Sequence, residues 1–233
     1  FGVPIDRIKK GNPEYSLRQK GKVATLALGY GGTTNALINM GALRMGLSED
    51  ELPDIVSRWR QSNKRICDLW YKLESAVVQT FRAGVSTAVN GLLIAREGDS
   101  ANGLDFITVT LPSKRKMFYA FPHLGKNRWG NNSICYLGTN MAKKWAEIET
   151  YGGKLTENIV QAIARDCLAV KLEQLTELGY KIVFHVHDEV VIEAPGESAD
   201  FDAVCRIMSE PIPWAPGLPL NADGYVSKFF KKD

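Results

Sequence analysis

A chain of 233 residues, 45% hydrophobic and 24% charged, has ordinary globular usage and room for one domain or two small ones. This excludes a disordered chain, a collagen and a coiled-coil rod, and no apolar run approaches the ~18–20 residues of a membrane span. A net charge of +3 is too mild to establish a nucleic-acid partner by itself.

The first residue is Phe1, and no basic segment followed by an apolar stretch, the mark of a signal peptide, opens the chain. Cys67, Cys135, Cys167 and Cys205 lie far apart without a C-x-x-C pair. That argues against a zinc ribbon or a thioredoxin-like site and for a reduced chain with all four thiols in the core.

Asn12-Pro13 signals a helix start, and the Lys/Arg/Ala/Leu-rich stretch that follows predicts a helix ending at Gly29, Gly31 and Gly32. Ser48, followed by Glu49, Asp50 and Glu51, opens a second helix. After Ser62-Asn63, Leu69, Leu73, Val77 and Phe81 recur every four residues, the spacing of one buried helical face. Strands are expected over 92–94, 106–111 and 117–121, joined by loops rich in Gly, Asn and Lys. Thr156 is read as the start of a helix running to about Leu178, with Gly179 as its C′ residue. Residues 181–187 and 190–193 form a hairpin around an acidic Asp188-Glu189 turn. A short helix after Ser198 and a strand near 218–222 complete the reading.

Two constellations carry chemistry. Arg18, Lys22, Leu26 and Tyr30-Gly31 recur at a spacing of four, so on a helix they form one slowly turning stripe. Val23, Ala24, Ala27 and Leu28 fall mostly on the other side. Cations at one end of the stripe suit phosphates, and the apolar and aromatic members suit sugar and base. A solvated basic face with Tyr30 in the core fits the same spacing. Gly21-Lys22 is not a phosphate loop, because Ser16 and Val23 replace two of that motif's positions and the context is helical.

The second constellation is His185-Val186-His187-Asp188-Glu189. Adjacent carboxylates at a turn repel, and a hard divalent cation such as Mg²⁺ relieves that repulsion. A solvated acidic hairpin tip, and a zinc site built on His185 and His187, are the competing readings of these residues.

The two constellations stand about 160 residues apart in this order. Together they resemble motifs B and C of the family A DNA polymerases, the bacterial DNA polymerase I and bacteriophage type. Motif B reads R-x-x-x-K-x-x-x-[FY]-x-x-x-Y-G, matched by Arg18, Lys22, Tyr30 and Gly31. Motif C reads H-D-E, matched by His187, Asp188 and Glu189. The helix at 156–178, with Gln161, resembles the segment preceding motif C, and Leu111-Pro112-Ser113-Lys114-Arg115 more weakly resembles a phage-type connecting segment.

The resemblance implies an α+β chain, with helical fingers followed by part of the antiparallel-sheet palm of a right-hand polymerase. The expected boundaries are fingers with motif B over 1–90, a β-rich connection over 91–150, and a palm portion with motif C over 151–233. It implies that Arg18, Lys22, Leu26 and Tyr30 bind the incoming deoxynucleoside triphosphate, with Lys22 placed to protonate the departing pyrophosphate. Gln161, His187, Tyr30 and Gly31 contact the primer–template DNA. Asp188 and Glu189 bind magnesium in a two-ion phosphoryl-transfer site.

Two departures qualify this. Leu26 stands where the family has an aromatic residue, so it packs but cannot stack. Motif A, D-[YF]-S-x-I-E-x-R, has no match before Arg18, and Asp105-Phe106 lies downstream with Thr110 in place of the glutamate. The expectation is a C-terminal part of a split or processed polymerase, in the cytoplasm of a bacterium or virus-infected host. It needs a second polypeptide that carries motif A, the thumb and the rest of the palm, and no membrane. A single-subunit RNA polymerase fragment and a catalytically silent nucleic-acid-binding module are the alternatives. Glu189 argues against the RNA polymerase, which has Ser after His-Asp.

Overall fold

The computed structural model describes residues 2–127, 130, 132–196 and 200–231. They divide into two compact units, the first formed by Phe1–Val109 and Lys116–Asn158, the second by Thr110–Arg115 and Ile159–Asp233. Both helices and β-sheet are present, as an α+β chain requires. Among the described residues no helix is long and apolar enough to cross a membrane.

The first unit opens with helices. Pro13 starts a short 3₁₀ turn (Pro13–Tyr15) that runs directly into α1 (Ser16–Leu28). Val23, Ala27 and Leu28 are buried, as the spacing predicts, and pack in one cluster with Leu37 of α2 (Thr34–Asn39), Ala42 and Leu52. The Ser48 backbone N–H and hydroxyl both donate to the Glu51 carboxylate, at 2.8 and 3.0 Å, which ties Glu51 back to the start of the turn. A 3₁₀ turn then leads into α3 (Leu52–Ser62).

In α4 (Lys64–Ala83) the buried residues are Trp70, Leu73, Ala76, Val77 and Thr80. The buried face is therefore turned slightly from the one predicted. Leu69 and Phe81 lie at its margins, while Trp70 and Thr80 supply its edge.

The chain then forms a six-stranded sheet in sequence order: β1 (Thr87–Val89), β2 (Leu92–Asp99), β3 (Leu104–Thr110), β4 (Lys116–Lys126), β5 (Asn132–Thr139) and β6 (Trp145–Glu149). The stretches 132–139 and 145–149, for which no strand was expected, are strands. Asn, Gly and Lys suppress local strand propensity there, but pairing of β5 with both β4 and β6 overrides it.

Helix α5 (Gly152–Glu177) begins four residues before the predicted Thr156. The Thr156 hydroxyl does not cap the helix; it donates back to the Gly152 carbonyl at 2.8 Å, inside the first turn. The C-terminus is as expected. Gly179 has φ 85°, Tyr180 N–H bonds the Leu175 carbonyl, and Gly179 N–H bonds the Thr176 carbonyl, a Schellman closure.

In the second unit, β7 (Lys181–Val186) pairs antiparallel with β8 (Glu189–Glu193) as a two-stranded sheet, followed by α6 (Phe201–Ser209). Ser198, taken as the start of that helix, lies outside the described residues. The strand expected near 218–222 is irregular backbone instead, in a segment broken by Pro216, Gly217 and Pro219. The larger sheet thus falls in 87–149, and the region expected to hold part of a palm sheet shows one hairpin.

Candidate active site

The motif B stripe is built on α1. Arg18, Lys22 and Leu26 are exposed, and Leu26, an apolar side chain, is 46% exposed. Val23, Ala27 and Leu28 on the opposite side anchor the helix. Among the described residues no carboxylate pairs with Arg18 or Lys22 in an ion pair, so both charges remain available to an anionic ligand. Tyr30 is half-buried in the turn beyond α1.

That turn is clamped from three sides within the first unit. The Trp70 indole N–H donates to the Gly29 carbonyl at 2.9 Å, and its ring stacks parallel on Trp59 at 6.2 Å between centroids. The Arg60 guanidinium donates to the Gly32 carbonyl at 3.1 Å. Gly153, at the start of α5, lies against the Tyr30 backbone so closely that a Cβ there would stand 2.0 Å from the Tyr30 carbonyl oxygen. Gly31 has φ 84°, a conformation glycine adopts without steric cost. Sequence reading missed Arg60, Trp70 and Gly153 as parts of this turn. The adjacent Gly152-Gly153 pair was the available signal, since paired glycines mark close backbone approach.

Glu74 lies beside the same clamp. Burial pushes its carboxyl above the ordinary carboxylate range, and a hydrogen bond from the Gly152 N–H only partly counteracts this. Its Oε1 is buried without a hydrogen-bond partner among the described residues. A carboxyl raised in the folded state stabilises fully below its unfolded value and loses that contribution as pH rises through the folded value. Glu74→Gln keeps an acceptor for Gly152 and removes the charge. We expect it to raise the melting temperature at neutral pH, and the gain to vanish below about pH 4.3, the ordinary glutamate value. Thermal melts of both proteins across pH 3–8 check this; a gain independent of pH contradicts it.

Motif C occupies the β7–β8 hairpin. Val186 pairs with Glu189, so the turn residues are His187 and Asp188, and Glu189 is the first residue of β8. The acidic turn read from the sequence is therefore shifted by one residue. His187 has φ 51°, a left-handed conformation uncommon for non-glycine residues, among which histidine is one of the more frequent. His185, Asp188 and Glu189 are all exposed. His185 and His187 join no three-ligand cluster among the described residues, which leaves the zinc reading at this hairpin without a ligand set. Asp188 and Glu189 offer hard oxygen donors that fit magnesium in type, though as two residues they are an incomplete set.

Gln161 is exposed on α5, one turn before a buried node. Asp166 of α5, 7% exposed, accepts from Arg115 Nε at 2.6 Å and from the Ser113 hydroxyl. Arg115 also donates to the Ala162 carbonyl at 3.0 Å. The Leu111–Arg115 turn thus fixes the face of α5 adjoining Gln161. Asp105, set aside as a motif A match because it lies downstream of Arg18, is held by Arg96 through two bonds of 2.9 and 2.7 Å, and Arg96 lowers its pKa. Cys135 and Cys167 are buried, whereas Cys67 and Cys205 are partly exposed, so only two of the four thiols belong to the core.

The motif B group belongs to the first unit, and Gln161 and the motif C group to the second. Over 235 aligned positions, which take in the whole of this chain, the sequence is 49% identical to the DNA polymerase of Bacillus phage SP02. Over 41 residues, 17% of the chain and 4% of the relative, it is 51% identical to DNA polymerase I B, chloroplastic/mitochondrial, of Arabidopsis thaliana. No family model matches, and no solved structure matches.

The similarity is to DNA polymerases as a class. More narrowly, it is to a segment of a phage-type DNA polymerase, and it runs over the whole of this chain. The chain spans about a third of that relative's length (35%).

Proposed function

We propose that this chain carries part of the active site for template-directed DNA synthesis, with deoxynucleotides joined to a primer 3′-hydroxyl. The observation that carries the reading is the whole-chain identity to a phage DNA polymerase, together with motif B on an exposed helix and motif C at a hairpin turn. Similarity of this extent supports a DNA polymerase with divalent-metal dependence; the residue roles are our reading.

Arg18 and Lys22 lie on one face of α1, four residues and ~6 Å apart along its axis. In our reading they hold the nucleotide's phosphates, and Lys22 stabilises and then protonates the departing pyrophosphate. Leu26 packs against the incoming sugar and base, and Tyr30 sits against the templating base. The clamp formed by Trp70, Arg60 and Gly153 fixes the turn from which α1 closes on a correct pair. Gly31 lets the backbone turn beside the template, and Gln161 and His187 hold the primer end. A histidine kept at φ 51° is the sort of local strain that functional sites retain.

Asp188 and Glu189 are the carboxylates that would hold magnesium. When bound, the two ions supply charge stabilisation to the attacking and leaving oxygens. Such a site needs further oxygen ligands, and we assign them to a motif A carboxylate from another polypeptide or from further chain. Val183, Phe184, Val226, Phe229 and Phe230 are exposed apolar side chains of the second unit, a surface suited to that contact. Primer–template DNA and deoxynucleotides are the substrates, and the setting is a host cell in which a phage genome is copied. The domain reading of fingers, connection and palm is part of this proposal.

The test is primer extension with Mg²⁺. We expect no appreciable synthesis by the isolated chain, and synthesis when a polypeptide carrying motif A is supplied. Efficient synthesis by the isolated chain contradicts the shared-site arrangement, and preference for ribonucleotides contradicts the assigned substrate.

A further inference from the structure

We propose that His123, Cys135 and Glu147 form a binding site for a divalent cation of zinc type on one face of the six-stranded sheet. This site is separate from the motif C carboxylates and does not depend on the polymerase reading.

The three residues come from three neighbouring strands, β4, β5 and β6. His123 is the register partner of Cys135, which in turn pairs with Glu149, two residues from Glu147. Side chains alternate between sheet faces with a period of two, so His123, Cys135 and Glu147 share one face. One donor atom from each lies within 4.8 Å of the others. Tetrahedral zinc with bonds of ~2.0–2.3 Å places its donor atoms about 3.3–3.8 Å apart. Modest rotation of the two exposed ligands closes that difference, since the His123 and Glu147 side chains are 45% and 62% exposed.

Three further features prepare the site. His123 Nε2 lies 2.9 Å from the Glu147 carboxylate, while Nδ1 lies 3.4 Å from the Phe121 carbonyl. Without metal, an Nε2–H donates to that carboxylate; with metal bound, the proton sits on Nδ1 facing the Phe121 carbonyl and Nε2 turns to the ion, the usual arrangement around a metal-bound histidine. The register shifts between Ala120 and His123, and Phe121 in that bulge has φ 50°. Bulges of this sort re-aim side chains and recur beside functional sites. Finally, a Cβ at position 125 would stand 2.5 Å from Cys135 Sγ, so Gly125 provides the space in which the sulfur sits.

A thiol, an imidazole and a carboxylate are the ligands of zinc rather than of magnesium. Binding converts the Cys135 thiol to a metal-bound thiolate and releases one proton to solvent; no electron is transferred. In the metal-free protein burial and the carboxylates of Glu147 and Glu149 keep that thiol protonated. The sulfur is buried while the other two ligands are exposed, so the fourth position lies on their side, where a water completes the shell. The role this assigns to the ion is structural: it ties three strands across the face of the sheet.

The experiment is Co²⁺ titration of the full chain, with excess Mg²⁺ to occupy oxygen-only sites, monitored by thiolate-to-cobalt charge-transfer absorption. We expect one equivalent of cobalt to produce the band and stoichiometric Zn²⁺ to bleach it. Cys135→Ser should abolish the band, and His123→Ala and Glu147→Gln should each weaken binding by more than about 100-fold, beyond the cost of losing a partner that merely orients a ligand. Circular dichroism melts in chelator identify any variant that fails to fold. Zn²⁺ should raise the melting temperature of the parent chain and leave that of His123→Ala unchanged. Absence of the band, or its survival in Cys135→Ser, overturns the proposal, as does equal zinc stabilisation of the parent chain and a folded His123→Ala.

Discussion

Gly153→Ala is expected to destabilise the chain by about 1–3 kcal/mol, towards the upper end of what overpacking costs. The added Cβ would stand 2.0 Å from the Tyr30 carbonyl oxygen and 2.6 Å from its carbon. Both are backbone atoms, so no side-chain rotation relieves the overlap, and either the start of α5 or the turn after α1 must move. That turn is also held by Trp70 and Arg60, so displacement strains those bonds too. A fall in melting temperature of roughly 5–10 °C follows for a protein of this size. Gly196→Ala is the control: among the described residues, beyond its chain neighbours, no atom lies within 4 Å of a Cβ built there, and the change should stay within about 0.5 kcal/mol. Thermal melts of the three proteins check this, and an unchanged Gly153→Ala melt contradicts the close packing described for Tyr30.

Lys22→Ala is expected to weaken binding of a deoxynucleoside triphosphate about 10- to 100-fold, the worth of one charge-assisted contact. Lys22 is exposed on α1, and its removal leaves the buried Val23, Ala27 and Leu28 in place, so stability should hardly change. Arg18→Ala should act in the same direction, because both cations lie on the same helix face. Binding of a fluorescent deoxynucleotide to the full chain separates the ligand effect from a folding effect. The contribution should also weaken as salt rises, since the contact is electrostatic and solvent-facing. Unchanged affinity in both variants contradicts the role assigned to the stripe.

The helical part of the fold was legible because burial and spacing agreed. Val23, Ala27 and Leu28 fall on one side of α1, and Arg18, Lys22 and Leu26 on the other, as four-residue spacing dictates. The Ser48 cap and the Gly179 stop announced themselves by residue type. The start of α5 was missed because a threonine inside a first turn and a threonine capping one look alike in sequence. Only the direction of its hydroxyl bond, back to Gly152, distinguishes them.

Strands β5 and β6 were missed for a different reason. Asn132, Gly138 and Lys144 signal loops locally, and the pairing that overrides them is non-local. That miss concealed the His123, Cys135 and Glu147 cluster as well, whose members stand twelve residues apart along the chain but on adjacent strands. The motif residues stood out because their types and order resemble a family pattern. The clamp around Tyr30 was not legible, because Arg60, Trp70 and Gly153 reach it through tertiary packing that no spacing encodes.

The most direct test of the polymerase assignment is single-turnover primer extension with Mg²⁺, with the chain supplemented by a polypeptide carrying motif A. Parent and Asp188→Asn chains are compared. Asp188 is exposed in the turn, so the substitution should leave the hairpin folded. The account predicts Mg²⁺-dependent incorporation of deoxynucleotides by the parent and a loss of at least about 10³-fold with Asp188→Asn, consistent with losing a main source of charge stabilisation in phosphoryl transfer. Synthesis at the parent rate by a folded Asp188→Asn chain would contradict it.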